Sequence, residues 1–235
     1  MKRTATTVVM ALGVLAGVST AAQAAPLTIN IGNFSGGTGV LHAPGTLANG
    51  LNVYLGAVLI TGDLGTFESY CVDLQHYDIP GANSATLDSM SNWDNAATPE
   101  HANLGGGAAS WLYTTYGAWA AGNQTREAAL SLAIWNALYD NDYNVTNYTL
   151  GVTGFWVTSL SNAYYGTLAN DLLYSLSMTK DPLPNAGWIR TYNTSANYAQ
   201  DFIAPVPEPA TLTLLGAGLL SAGFARRRGR NDKIA

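Results

Sequence analysis

The chain has 235 residues, enough for about one domain of ordinary size plus short targeting segments. Its formal net charge is -5, but the ten Lys and Arg are gathered at the two ends, and between them only Arg126, Lys180 and Arg190 face thirteen acids, Asp63 to Asp201. A middle so short of clustered cations excludes phosphate-neutralising contact with nucleic acid, which is not expected as a partner.

Residues 1–24 read as a secretory signal. Lys2 and Arg3 form the charged start, Thr7 to Gly17 the apolar stretch, and Ala22-Gln23-Ala24 the small-residue cleavage site, with signal peptidase cutting before Ala25. The segment is too short and too well marked for cleavage to read as a lasting anchor.

Residues 25–203 follow as an extracytoplasmic domain. Alternating apolar positions separated by Gly and Asn predict short antiparallel strands at Leu27–Ile31, Leu51–Leu55, Ala57–Ile60 and Phe67–Val72. After a glycine-rich break at Asn103 to Gly107, aromatics from Trp111 to Trp119 recur at the spacing of one helix face. A second helix is expected from about Thr125 to Tyr139, apolar almost all round and therefore buried. A third is expected from Thr158 to about Met178, with Leu160, Tyr164, Leu168 and Leu172 on one stripe. Strands are expected again at Trp188–Tyr192 and Tyr198–Ile203. The predicted class is α+β: a β-rich N-terminal half, as an antiparallel sheet or sandwich, with a block of two to three helices.

Residues 204–235 read as a tail. Val206-Pro207-Glu208-Pro209 precedes sixteen uncharged residues, Ala210 to Ala225, and then a basic end, 226–235, carrying Arg226, Arg227, Arg228 and Arg230. As a transmembrane helix, 210–225 would reach about 24 Å, short of the ~30 Å hydrocarbon core, so the arginines must snorkel or the bilayer thin. The arginines favour the cytoplasmic face and place the domain outside the inner membrane. Gly216, Gly218 and Gly223 leave a small-sided helix suited to close approach by a protein partner in the membrane.

The order of Val206–Pro209, the Leu214 to Leu220 span and the arginine cluster resembles the PEP-CTERM sorting tail. The resemblance implies recognition by an exosortase in a Gram-negative bacterium, processing near Pro-Glu-Pro, and a body released into, or attached in, an exopolysaccharide-rich matrix at the cell surface.

Cys71 is the one cysteine, so no intrachain disulfide can form. It reads as a small buried strand residue, as a nucleophile wanting a base such as His76 or His101, or as part of a third pattern. Phe67 to Leu74 and Leu132–Trp135 resemble the paired motifs of thioester domains, adhesin modules in which a Cys thiol condenses with a Gln amide. The position that would carry the Gln holds Ser131, and a hydroxyl has no acyl carbon to give. On this resemblance the alternative to a matrix protein is a surface adhesin or carbohydrate-binding module, with Cys71, Ser131 and Trp135 as its motif.

Other signals are weaker. Asp140 to Asn144 begins like a calcium loop, but Val145 and Gly151 occupy its glycine and final acid positions, so a polar turn after the helix is expected and no metal site. The Asn-x-Ser/Thr sequons at Asn33, Asn123, Asn144, Asn147 and Asn193 need not be used in a bacterium. Thirteen Tyr and six Trp can serve a core or a sugar-stacking face, and no single sugar site stands out. No metal-spaced His cluster, Gly-x-Ser-x-Gly elbow or phosphate loop occurs, so an enzyme is not expected, nor a cofactor.

Overall fold

A computed structural model describes residues 26–44, 46, 48–76, 81–90, 93, 105–140, 142–146, 154–179, 186–192 and 200–206. The expected signal segment, His101, the transmembrane stretch 210–225 and the basic end all lie outside these residues. Among the described residues no helix is long and apolar enough to cross a membrane.

Alternation along the first strand, β1 (Leu27–Phe34), buries Ile29 and Ile31 and turns Thr28 and Asn30 outward. A short second strand, β2 (Gly37–His42), leads to β3 (Asn52–Leu55), β4 (Val58–Gly62), β5 (Gly65–Cys71) and β6 (Gly81–Ser89). The helices α1 (Gly105–Ala120) and α2 (Gln124–Tyr139) follow, then β7 (Trp156–Thr158), α3 (Tyr164–Ser177), β8 (Ala186–Tyr192) and β9 (Phe202–Pro205).

Six strands close into an antiparallel barrel in the order β1-β4-β5-β9-β8-β6, and β3-β2-β7 form a separate three-stranded sheet. The strands are antiparallel as expected, but six of them close into a barrel where an open sheet or sandwich was expected. Closure comes from the C-terminal strands: β9 lies between β5 and β8, with Ile203 opposite both Tyr70 and Trp188, while β8 pairs along β6. A closed ring leaves none of these strands with an open edge. Strand β9 also runs through Ala204 and Pro205, the first residues of the expected tail.

The helices form the second layer, and α2 is its centre. Its residues Glu127 to Asn136 are all buried, as its all-round apolar sequence predicts, between α1 and α3. Asn123 caps it, accepting from the Arg126 backbone N–H at 3.1 Å. Glu127 is 1% exposed and takes a hydrogen bond from the Ser35 hydroxyl, tying the helix to the barrel rim. Gly105 to Gly107, expected as part of a glycine-rich break, are the first turn of α1. There Gly105 and Gly106 let the backbone touch Ala137 and Met90, where a Cβ would fall 2.5 and 1.9 Å from their carbonyl oxygens.

The third helix starts six residues later than expected. Trp156, Val157 and Thr158 instead pair with β2, Leu160 precedes the helix, and Tyr164 is exposed. Its buried stripe is Tyr165, Ala169, Leu172, Leu173 and Leu176.

Candidate functional site

Strand β5 ends at Cys71, and α2 grips the chain that follows. Trp135 and Tyr139, one turn apart on the same helix face, both reach it. Trp135 Nε1 donates to the Cys71 carbonyl at 2.7 Å; the Tyr139 hydroxyl donates to the Val72 carbonyl at 3.2 Å and accepts from the Leu74 N–H at 2.9 Å. Burial, the largest cause, pushes the Tyr139 phenol well above its ordinary range, so it remains a neutral donor. From the other side the Val72 N–H bonds to the Asp201 carbonyl at 2.9 Å, and Gln200 Nε2 to the Asp73 carbonyl at 2.9 Å.

Cys71 and Trp135, paired by their motifs in the sequence, are therefore brought together, the ring holding the backbone of the cysteine. Cys71 itself is 2% exposed. Ser131 sits one turn earlier in α2, and its buried hydroxyl has no hydrogen-bond partner among the described residues.

The side chains of Asp73 and His76 form a local pair through Asp73 Oδ2 and His76 Nδ1, while Asp73 Oδ1 accepts from the Gln75 N–H at 2.7 Å. His42 is elsewhere, stacked on Trp156 with centroids 4.9 Å apart. After α2, Asp140 accepts from the Phe155 N–H at 2.8 Å, and Asp142 accepts from Asn136 and from the Asn144 N–H, contacts of a polar turn.

Cys71, Asp73, Leu74, His76, Trp135 and Gln200 line a cavity of about 590 Å³. Gly32 to Phe34 at the end of β1, Ala48, and Leu51 to Tyr54 leading into β3 complete its lining. The cavity thus lies between barrel and three-stranded sheet, and its parts are up to about 170 residues apart in sequence, which is why the sequence offered no sign of it.

Asp201 was also missed. It is 8% exposed, accepts from Trp188 Nε1 at 2.9 Å and from the Thr191 N–H at 3.1 Å, and burial first, then the charge of Asp73, pushes its carboxyl up to about 7. The only hint was an acid set inside the apolar run before Pro205.

At the far end of β9 a groove of about 500 Å³ is lined by Phe67, Glu68, Tyr70, Tyr113, Ala118 and Ala121, with Pro205 and Val206 beside them. Burial raises the Glu68 carboxyl and both phenols above their ordinary ranges. Val206 is half exposed, so β9 delivers the chain to the surface next to the last turn of α1. Pro207, Glu208, Pro209 and the arginines 226, 227, 228 and 230 continue outside the described residues, as do Ala22, Ala24 and Ala25 at the other end.

The family profile described as the PEP-CTERM protein-sorting motif matches residues 205–228. The chain carries a PEP-CTERM sorting motif. The match spans the Pro-Glu-Pro element, the uncharged stretch and three of the four arginines, and begins on the last residue of β9. A PEP-CTERM motif implies an exported, envelope-associated protein whose processing partner is an exosortase. No curated protein and no solved structure matches the chain, so the body that the PEP-CTERM motif delivers is argued from its own geometry.

Proposed function

We propose that the chain is a non-catalytic protein of the extracellular matrix: signal peptidase cuts before Ala25, the tail holds the body at the inner membrane, and an exosortase passes it outward into an exopolysaccharide-rich layer. The observation that carries this reading is the sorting motif at 205–228, which starts where the barrel's last strand stops. Only Val206 separates Pro205 from Pro207, so an enzyme acting at Pro-Glu-Pro works within one residue of a folded barrel. The residues just upstream are held in β9, Phe202 and Ile203 by pairing on both sides and Ala204 and Pro205 by pairing with β8, which favours processing beyond 205.

The side chains around Cys71 favour a scaffold over a catalyst. Its thiol is packed away, Trp135 and Tyr139 are spent on holding backbone, and the Asp73 carboxylate takes hydrogen bonds from its own loop. Fractionation of the native host tests the reading. Wild-type protein is expected in the washed matrix fraction, and a chain with Pro207-Glu208-Pro209 replaced by Ala-Ala-Ala is expected to stay in the inner-membrane fraction. Equal matrix recovery of both would contradict it.

A further inference from the structure

We propose that the cavity between the end of β1, the 48–54 segment and the Cys71–His76 segment is a binding site for an uncharged saccharide. The proposal rests on the matrix reading above and names the ligand for it.

Two kinds of lining group make the site. One is apolar: the Tyr54 ring stacks nearly parallel to that of Phe34, 13° between planes with centroids 6.4 Å apart, and Leu51 adds to it. Tyr54 is 70% exposed and Leu51 41%, so the barrel's core does not account for this surface. Large apolar side chains left at the mouth of a cleft, with polar groups around them, mark a place where something docks. The other is polar, the hydrogen-bonding groups of Asn33, Asn52, Asp73, His76 and Gln200.

A pyranose ring fits such a lining, because it presents C–H groups on its faces and hydroxyls around its rim. The faces lie against aromatic rings, and the hydroxyls meet carboxylate, amide and imidazole groups that accept and donate in the plane. The volume, about 590 Å³, falls in the ~300–1,000 Å³ range of small-molecule clefts and suits a short stretch of glycan.

Charge decides which glycan. Among the described residues no Lys or Arg lines the cavity, and Asp73 does. A uronate or sulfated sugar would bring a second anion beside that carboxylate, where the His76 side chain is already paired with Asp73 and no lysine or arginine of the described lining offsets the added charge. Neutral sugar units carry no such cost.

The test uses full-chain protein in detergent micelles and the host's exopolysaccharide, partly depolymerised and split by anion exchange into neutral and acidic oligosaccharide pools, with binding measured by titration calorimetry. Wild type is expected to bind the neutral pool and not the acidic one. Tyr54→Ala removes an exposed ring and should weaken that binding by about tenfold or more, and Asn52→Ala should weaken it to a smaller degree, with circular dichroism unchanged in both. Unaltered neutral-pool affinity in both variants would overturn the cavity assignment while leaving matrix association standing. Selective binding of the acidic pool would overturn the choice of an uncharged ligand, and binding of neither pool by wild type would overturn the cavity and the exopolysaccharide part of the matrix reading together.

Discussion

Trp135→Ala is expected to lower the unfolding free energy by about 4–6 kcal/mol, the largest effect of any substitution considered. Truncating a fully buried Trp typically costs ~3–5 kcal/mol in lost transfer energy and residual cavity. Trp135 is 2% exposed, rests at 6.4 Å from the Phe155 ring, and forms part of the cavity wall, so the deleted volume would join an existing space and could not close up cheaply. Its Nε1–H also donates to the Cys71 carbonyl, and losing that buried hydrogen bond adds about 1 kcal/mol. With small domains stable by ~5–15 kcal/mol, much of the margin would go. Trp135→Phe separates the two contributions, retaining most of the packing while deleting the donor, and is expected to cost about 1–3 kcal/mol. Urea denaturation followed by circular dichroism measures both. A loss below about 1 kcal/mol for Trp135→Ala would mean that α2 does not clamp the end of β5.

The second large effect is on pH dependence and is expected at Asp201. Its folded-state pKa is raised to about 7, chiefly by burial and then by Asp73, against an ordinary value of 3.8. The native state therefore holds this proton more tightly than the unfolded chain does. Between about pH 4 and pH 7 the folded protein binds up to one more proton, so stability falls as pH rises through that window, by up to ~1.4 kcal/mol per pH unit and a few kcal/mol in all. The direction is the reverse of the usual salt-bridged carboxylate, whose contribution is lost on acidification. Asp201→Asn should flatten the slope across this window. It should also lower stability by about 1 kcal/mol at acid pH, because Trp188 Nε1 and the Thr191 N–H meet different carboxyl oxygens, and in the amide one of those positions becomes an NH2 that cannot accept. Denaturation midpoints of the two proteins at pH 4.5, 6 and 8 give the comparison, and parallel curves would show that the buried carboxyl does not titrate in this range.

The features legible in the sequence are those written locally. Strands β1, β3 and β4 alternate clearly, and α2 is apolar all round, so their types follow from periodicity. Strand β6, Gly-Ala-Asn-Ser-Ala-Thr-Leu-Asp-Ser, has the composition of a loop, and it becomes a strand because β1 and β8 pair along both of its edges. Residues 156–160 contain apolar side chains at helical spacing, yet β2 recruits three of them as a strand and moves the start of α3 to Tyr164. Barrel closure was illegible for the same reason, since β9 is four residues long and its place is fixed by partners at 70–71 and 186–189.

At the sites the division is similar. Cys71 and Trp135 carry enough local sequence to be paired in advance, and the sorting motif is a linear signal read without any fold. The cavity, by contrast, joins Phe34 and Tyr54 to Asp73 and Gln200, and no spacing along the chain announces that meeting. Asp201 is an acid whose chemistry comes from what the fold places around it: burial and the charge of Asp73 raise its pKa, while Trp188 and Thr191 of β8 donate to its two oxygens.

The central claim is that the motif at 205–228 directs the protein outward through an exosortase, and intact mass spectrometry of the protein from its native host, with and without that enzyme, tests it most directly. The account predicts a species starting at Ala25 and ending near Pro207 when the exosortase is present, and a chain retaining its tail when it is absent. A C-terminus at Ala235 in both hosts would contradict it and reduce the tail to an ordinary membrane anchor.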